Sequence, residues 1–175
     1  MSDYYEANPR SIEQIRFLAK IARTIINVDI HEEMNLLNVL DLMCFKFKHK
    51  KFSYEIVADD DKTFSEDEEA HTDISIGKIY IKESVYCDLK TPYSRSNFTI
   101  AHELGHFYLH HISGFVLPRT TKPDKVYLNP EWQADQFAAE FLMPLEGIKD
   151  LSSDEIMDKY NVSRQAAETR INKTK

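Results

Sequence analysis

Cysteine is scarce in this chain. Cys44 and Cys87 are the only two in 175 residues, far apart and without the paired spacing of a metal or disulfide framework. A disulfide scaffold is thereby excluded, and a reducing compartment, the cytoplasm, is the expectation. No apolar run approaches the ~20 residues that span a bilayer. The opening MSDYYEANPR also lacks the basic flank and apolar centre of a secretory signal, so no membrane partner is expected. A basic surplus is missing as well. The formal net charge of −7 weighs against direct nucleic-acid binding, because displacing phosphate counterions takes a basic surface. No internal repeat is visible, and 175 residues with 42% hydrophobic side chains close one substantial core while leaving a second full domain cramped.

What is present falls into helices, then strands, then helices. Asn8-Pro9 reads as a cap followed by a proline at the first helical position, opening a helix whose apolar stripe includes Ile12, Ile15, Leu18, Ala22 and Ile25. A second apolar helix covers roughly residues 33–45. FSYEIVA reads as a strand, and DISIGKIYIKESVY as one or two more joined at Gly77, with alternation through Ile79, Ile81 and Ser84. Between them DDDKTFSEDEEAHTD, residues 59–73, holds eight carboxylates and little to bury, which reads as a solvated loop; the ligand spacing of a calcium loop is missing. Helix resumes over about 94–111, and a long connection with Pro118 and Pro123 leads to NPEWQADQFAAEFLMP, where Asn129-Pro130 repeats the cap-then-proline start. Ser152 with Glu155 forms a capping box for a first tail helix, and Ser163 caps a second. The layout is α+β, with a small antiparallel or mixed sheet and helices at both ends. Residues 1–151 are expected to form the main unit, with 152–175 as a helical pair packed on it.

FTIAHELGHFYLHH, residues 98–111, holds four of the seven histidines. In HELGH, His102 and His106 are four residues apart, ~6 Å along a helix axis, so both imidazoles leave one face and can share an ion. Zinc lowers the pKa of a bound water toward ~7, and Glu103, beside the first histidine, is suited to take the proton. Gly105 costs roughly 1 kcal/mol relative to alanine in a helix and would let another backbone or a substrate approach. The chain's own His and Glu frequencies give roughly a 2% expectation of one H-E-x-x-H match, so its surroundings matter. Phe98, Ile100, Ala101, Leu104, Phe107 and Leu109 make this helix largely apolar, and buried imidazoles and carboxylates without a purpose are costly.

Catalytic zinc usually takes a third protein ligand. His110 fails on distance: it lies ~12 Å from His102 along the axis, whereas ligand atoms ~2.1 Å from one zinc lie within ~4 Å of each other. His110 and His111 are therefore given a wet or hydrogen-bonding role. The metzincin extension fails because residue 109 is Leu and residue 112 is Ile. EWQAD offers Glu131 and Asp135 on one stripe of a helix whose Ala134, Phe137, Ala138, Phe141 and Leu142 face a core. One carboxylate can ligate while the other orients a ligating imidazole. The plainer alternative, Glu131 favouring a helix N-terminus and Asp135 solvated, loses weight beside H-E-x-x-H. His31, His49 and His71 read as surface residues, and most Phe, Tyr and Met as core.

Together, FTIAHELGHFYLHH and EWQADQFAAEFLMP resemble the ImmA/IrrE metallopeptidases. The strong likeness runs from about Ile79 to Pro144; the tail DEIMDKYNVSRQAAETRI is also similar, while the first 70 residues match only in being helical and then strand-like. The resemblance implies a zincin-like fold and a gluzincin-like zinc peptidase, with His102, His106 and Glu131 as ligands and Glu103 as general base. Asp135 is left as the orienting carboxylate. It also implies a cytoplasmic protein of a mobile element or stress regulon whose protein partner is a helix-turn-helix repressor that it cleaves. Tyr108, Tyr127 and His111 are candidate donors to the oxyanion, and a substrate strand is expected to add along an edge in the Ile79–Tyr86 region. The rival is a DNA-binding regulator using the helix-turn-helix outline of the tail, with Arg164 and Arg170 on its second helix. Zinc as a mere scaffold is disfavoured, since structural sites tend to be cysteine-rich with four protein ligands.

Overall fold

A computed structural model describes residues 4–62, 64–65, 67–112, 116–119 and 125–174. Pro123 of the expected connection, Glu66 of the acidic stretch and Lys175 of the tail lie outside those residues. A short strand β1 (Tyr4–Ala7) precedes α1 (Ile12–Ile25). The helix opens three residues later than the Asn8-Pro9 signal suggests. Its cap is Ser11, in a reciprocal capping box with Gln14, because residues 8 and 10 are engaged elsewhere: the Asn8 carbonyl accepts from Gln133 and the Arg10 N–H donates to the Tyr127 carbonyl. α2 (Leu36–Lys46) follows, capped by Asn35.

The sheet is mixed. β2 (Ser53–Val57) runs parallel to β4 (Lys78–Lys82), and β3 (Ala70–Asp73) pairs antiparallel with β4 on its other side, giving the order β2-β4-β3. Gly77, at φ 73°, turns the β3–β4 hairpin in a backbone region that other residues avoid. Ile79 and Ile81 alternate into the core as expected, but the chain leaves the sheet before Ser84, which belongs to α3 (Glu83–Asp88). β3 is a correction: its four residues lie in the stretch read as a solvated loop. Pairing with β4, beyond the reach of local pattern, makes them a strand. Another lies in the long connection, where β5 (Val116–Arg119) pairs antiparallel with β1.

Two helices carry the centre of the molecule. α4 (Ser96–His106) widens into a π-type turn over Phe107–Ile112, a distortion that recurs at functional sites. α5 (Pro130–Leu142) starts at the Asn129 cap with Pro130 in its first turn, as the sequence predicts. α5 buries one face on α1 and another on α4, and Gly105 explains the second contact: a side chain there would meet the Cα and carbonyl of Ala134 at 3.1 Å. The close approach is thus to another backbone. Phe107, Phe137 and Phe141 join Ile15, Leu40, Ile79 and Ile100 in one hydrophobic cluster, each such burial contributing about 1.5–3 kcal/mol.

At the C-terminus, α6 (Ser153–Tyr160) begins with the Ser152–Glu155 capping box, and Ser163 accepts from the Ala166 N–H as α7 (Arg164–Thr174) begins. The turn between them is tied to the approach of α4: Asn161 accepts the Tyr93 N–H through its side chain and the Asn97 amide through its carbonyl. Among the described residues the chain is α+β with seven α-helices, and no helix is long and apolar enough to cross a membrane.

Candidate metal centre

α4 and α5 cross so that His102, His106 and Glu131 converge. The Nε2 atoms of the two histidines are 3.0 Å apart; Glu131 Oε2 lies 3.2 Å from His102 Nε2, and Oε1 lies 3.4 Å from His106 Nε2. One ligand atom from each of the three residues falls within 4.8 Å of the others. Two imidazole nitrogens and a carboxylate oxygen are a donor set suited to zinc. Both imidazoles are held from behind. His102 Nδ1 lies 2.9 Å from Asp135 Oδ1, and His106 Nδ1 lies 3.1 Å from His110 Nδ1. These outer contacts orient the rings toward the shared point.

The electrostatics of the metal-free cluster follow from this geometry. Burial disfavours the charged form of His102, but its bonds to Asp135 and Glu131 outweigh that and hold its pKa up at about 10. The neighbouring protein partly desolvates the Glu131 carboxylate although its side chain is largely exposed, and the two imidazoles overcome that cost, holding this acid well below the usual carboxylate range. A metal entering where the three ligands meet would displace the proton that the raised pKa of His102 retains. Glu103 is buried, which raises its pKa against the pull of His106, His102 and the Thr72 hydroxyl. Thr72 Oγ1 donates at 2.7 Å to Glu103 Oε2, fixing this carboxylate at the cleft floor.

The cleft has a volume of about 780 Å³, with β3 and the acidic residues before it on one side and α4 and α5 on the other. Asp67, Glu68 and Glu69 contribute carboxylates, and Arg95 reaches across to Glu69 at 3.2 Å. His71, read as a surface residue, lines this cleft.

Several expectations need correcting. The Tyr108 hydroxyl contacts Met43 Sδ at 3.0 Å; the aromatic ring is drawn into the core by Phe137, so this group is turned away from the cleft. His111 places its two ring nitrogens on the carbonyls of Ile74 and Lys50, bracing the β3–β4 turn. Tyr127 does not line the cleft either; its carbonyl accepts from Gln133. Neither Tyr108 nor His111 turns its polar atoms toward the cleft. The strand expected to accept substrate, β4, has neighbours on both edges, so docking along Ile79–Tyr86 is excluded. Arg170 is not presented to DNA. It is buried, with Nε donating to the Met143 carbonyl and a second nitrogen 2.7 Å from Glu140. His110 takes the hydrogen-bonding alternative of its expected role, between His106 and Gln133, and burial, with His106 beside it, pushes its pKa down to about 3.

Two contributors escape the sequence pattern, and a third does not. Thr72 sits in a four-residue strand inside an acid-rich stretch, where no periodicity could mark it. Gln133 reads as an ordinary helix residue until its partners are known. His110 had a signal: its four-residue step from His106 places it on the same face, too far from His102 to ligate but within reach of the nearer ring.

Residues 60–172 match the IrrE N-terminal-like domain, a peptidase family. The chain belongs to this family. Membership brings a peptidase-like domain whose relatives are metal-dependent in general, and the match spans both motifs of the metal cluster and the cleft wall from β3. A transcriptional regulator of Mycobacterium tuberculosis is similar in structure, with a TM-score of 0.53 at 13% identity, over 93% of this chain and 52% of that one. At that identity the likeness concerns the fold alone, and the chain spans about half the length of the regulator. No curated protein sequence matches the chain.

Proposed function

We propose that this chain is a zinc-dependent endopeptidase, and that its substrate is a helix-turn-helix transcriptional repressor whose cleavage releases transcription. The observation that carries the enzymatic reading is a buried, threonine-bound carboxylate, Glu103, beside a three-ligand cluster in an open cleft. A structural metal site needs neither the cleft nor the carboxylate. The repressor as substrate rests on the family resemblance.

His102, His106 and Glu131 would hold the ion, with Asp135 and His110 setting the angles of the two rings. Bound zinc supplies a Lewis acid that polarises the scissile carbonyl and acidifies water. Glu103 takes the proton of the attacking water and delivers it to the leaving amine nitrogen. Burial raises its pKa, which makes it a stronger base than an ordinary exposed carboxylate. β3 borders the cleft and, among the described residues, pairs only with β4. Its other edge is therefore suited to an extended substrate, which gains main-chain hydrogen bonds without demanding one sequence.

Incubation of the zinc-loaded chain with the repressor encoded beside its gene tests the reading. Discrete fragments, absent with Glu103→Gln, are expected. An intact repressor at equimolar enzyme would remove that substrate, and cleavage undiminished in Glu103→Gln would remove the proposed base.

A further inference from the structure

A chain of hydrogen bonds, buried or partly buried, runs from His106 to the segment before α1, and the direction of every bond in it follows from its far end. The Gln133 amide nitrogen lies 2.8 Å from the Asn8 carbonyl and 2.7 Å from the Tyr127 carbonyl. Both partners are acceptors only, so both N–H groups are committed to them and Gln133 Oε1 must accept. His110 Nε2, 3.3 Å from that oxygen, therefore carries a proton. His110 is buried and its two partners, Gln133 and His106, include no carboxylate, so a second ring proton would leave a buried charge unpaired and Nδ1 stays bare. His106 Nδ1, 3.1 Å away, must then be the donor, and in the neutral ring this leaves the lone pair on Nε2, the atom that faces His102 and Glu131.

We propose that Gln133 and His110 are positioning residues for the metal centre. Two backbone carbonyls orient the Gln133 amide, the amide selects the His110 tautomer, and His110 selects the tautomer of His106 that presents Nε2 to a metal. One of those carbonyls belongs to Asn8, outside residues 60–172 that match the family domain. The N-terminal segment thereby takes part in the site without touching it. Exposed histidine exchanges its tautomers freely; this one is set before a metal arrives, which lessens the rearrangement that binding requires.

The inference rests on the metal-centre reading, but its first test does not require zinc. Nitrogen-15 NMR of the imidazoles in zinc-free, full-length protein is expected to find His106 as a single Nδ1–H tautomer and His110 as Nε2–H. A His106 ring protonated at Nε2, or averaging between tautomers, would overturn it. In Gln133→Met the His106 signal is expected to become a mixture and zinc affinity to fall about 10–100-fold. His110→Gln, which keeps a side-chain acceptor near His106, is expected to fall less than His110→Leu. Unchanged zinc affinity in folded Gln133→Met and His110→Leu would refute the positioning role. A wild-type chain that binds no zinc would instead defeat the metal reading, while the tautomer of His106 still decides the hydrogen-bond chain.

Discussion

The two ends of α5 carry carboxylates nine residues apart, and their surroundings could hardly differ more. Glu140, with its side chain 1% exposed, lies 3.0 Å from Arg16 and 2.7 Å from Arg170, locking α1 and α7 onto α5. Glu131, 67% exposed, meets His102 and His106. A guanidinium offers N–H donors and no lone pair, so the first cluster can only be an ion pair. An imidazole can exchange its proton for a metal, so the second can change its occupant. The difference teaches that a buried acid is no sign of chemistry by itself. Partner type and access to a cleft separate a structural carboxylate from a working one.

The largest expected effect lies beside the Glu131 end. Glu103→Gln should lower cleavage by about 10²–10⁴-fold, the usual contribution of a positioned acid–base group, while zinc content by elemental analysis stays that of the wild type. Next is the other end: Glu140→Gln leaves Arg16 and Arg170 facing a neutral group and should cost about 3–5 kcal/mol in chemical denaturation. A loss below about 1 kcal/mol would erase the contrast between the two ends. Glu131→Gln should invert that pattern. Its exposed side chain contributes little to the metal-free fold, about 0–1 kcal/mol, but zinc affinity should fall further than the ~10–100-fold expected for Asp135→Asn, which removes only an orienting partner. Competition with a chromophoric chelator measures both.

A smaller, graded effect separates the ends by pH. His102 in the metal-free protein titrates at about 10, above its ordinary value near 6.5. The stability this raised pKa contributes is fully present below about pH 6.5 and is lost as pH rises through about 10. Zinc competes with the same proton, so apparent zinc affinity should rise with pH across that window. A flat affinity profile between pH 6.5 and 9 would mean that zinc displaces no proton from the site.

The sequence was most legible where local chemistry decides the structure. Asn129-Pro130 starts α5, Ser152 and Glu155 start α6, and His102, His106, Glu131 and Asp135 come together as their helical spacing suggests. It was least legible where distant segments decide. β1 and β5 depend on each other across more than a hundred residues, and β3 is a strand only because β4 lies beside it. Ser11 displaced Asn8 as the α1 cap because the Asn8 carbonyl serves Gln133. Two of the candidate oxyanion donors point elsewhere for a related reason. Tyr108 and His111 are close to the motif along the chain, yet the widened turn over Phe107–Ile112 directs them to the core and to the β3–β4 turn. Nearness in sequence was a poor guide to the direction of a side chain.

Zinc K-edge absorption of the metal-loaded protein, read together with zinc content, addresses the central claim most directly. One zinc per chain is expected, bound by two imidazole nitrogens at ~2.0–2.1 Å and by light oxygen scatterers, with the carboxylate contribution changed in Glu131→Gln. Sulfur in the coordination sphere, a spectrum indifferent to Glu131→Gln, or no tightly held zinc would contradict the account.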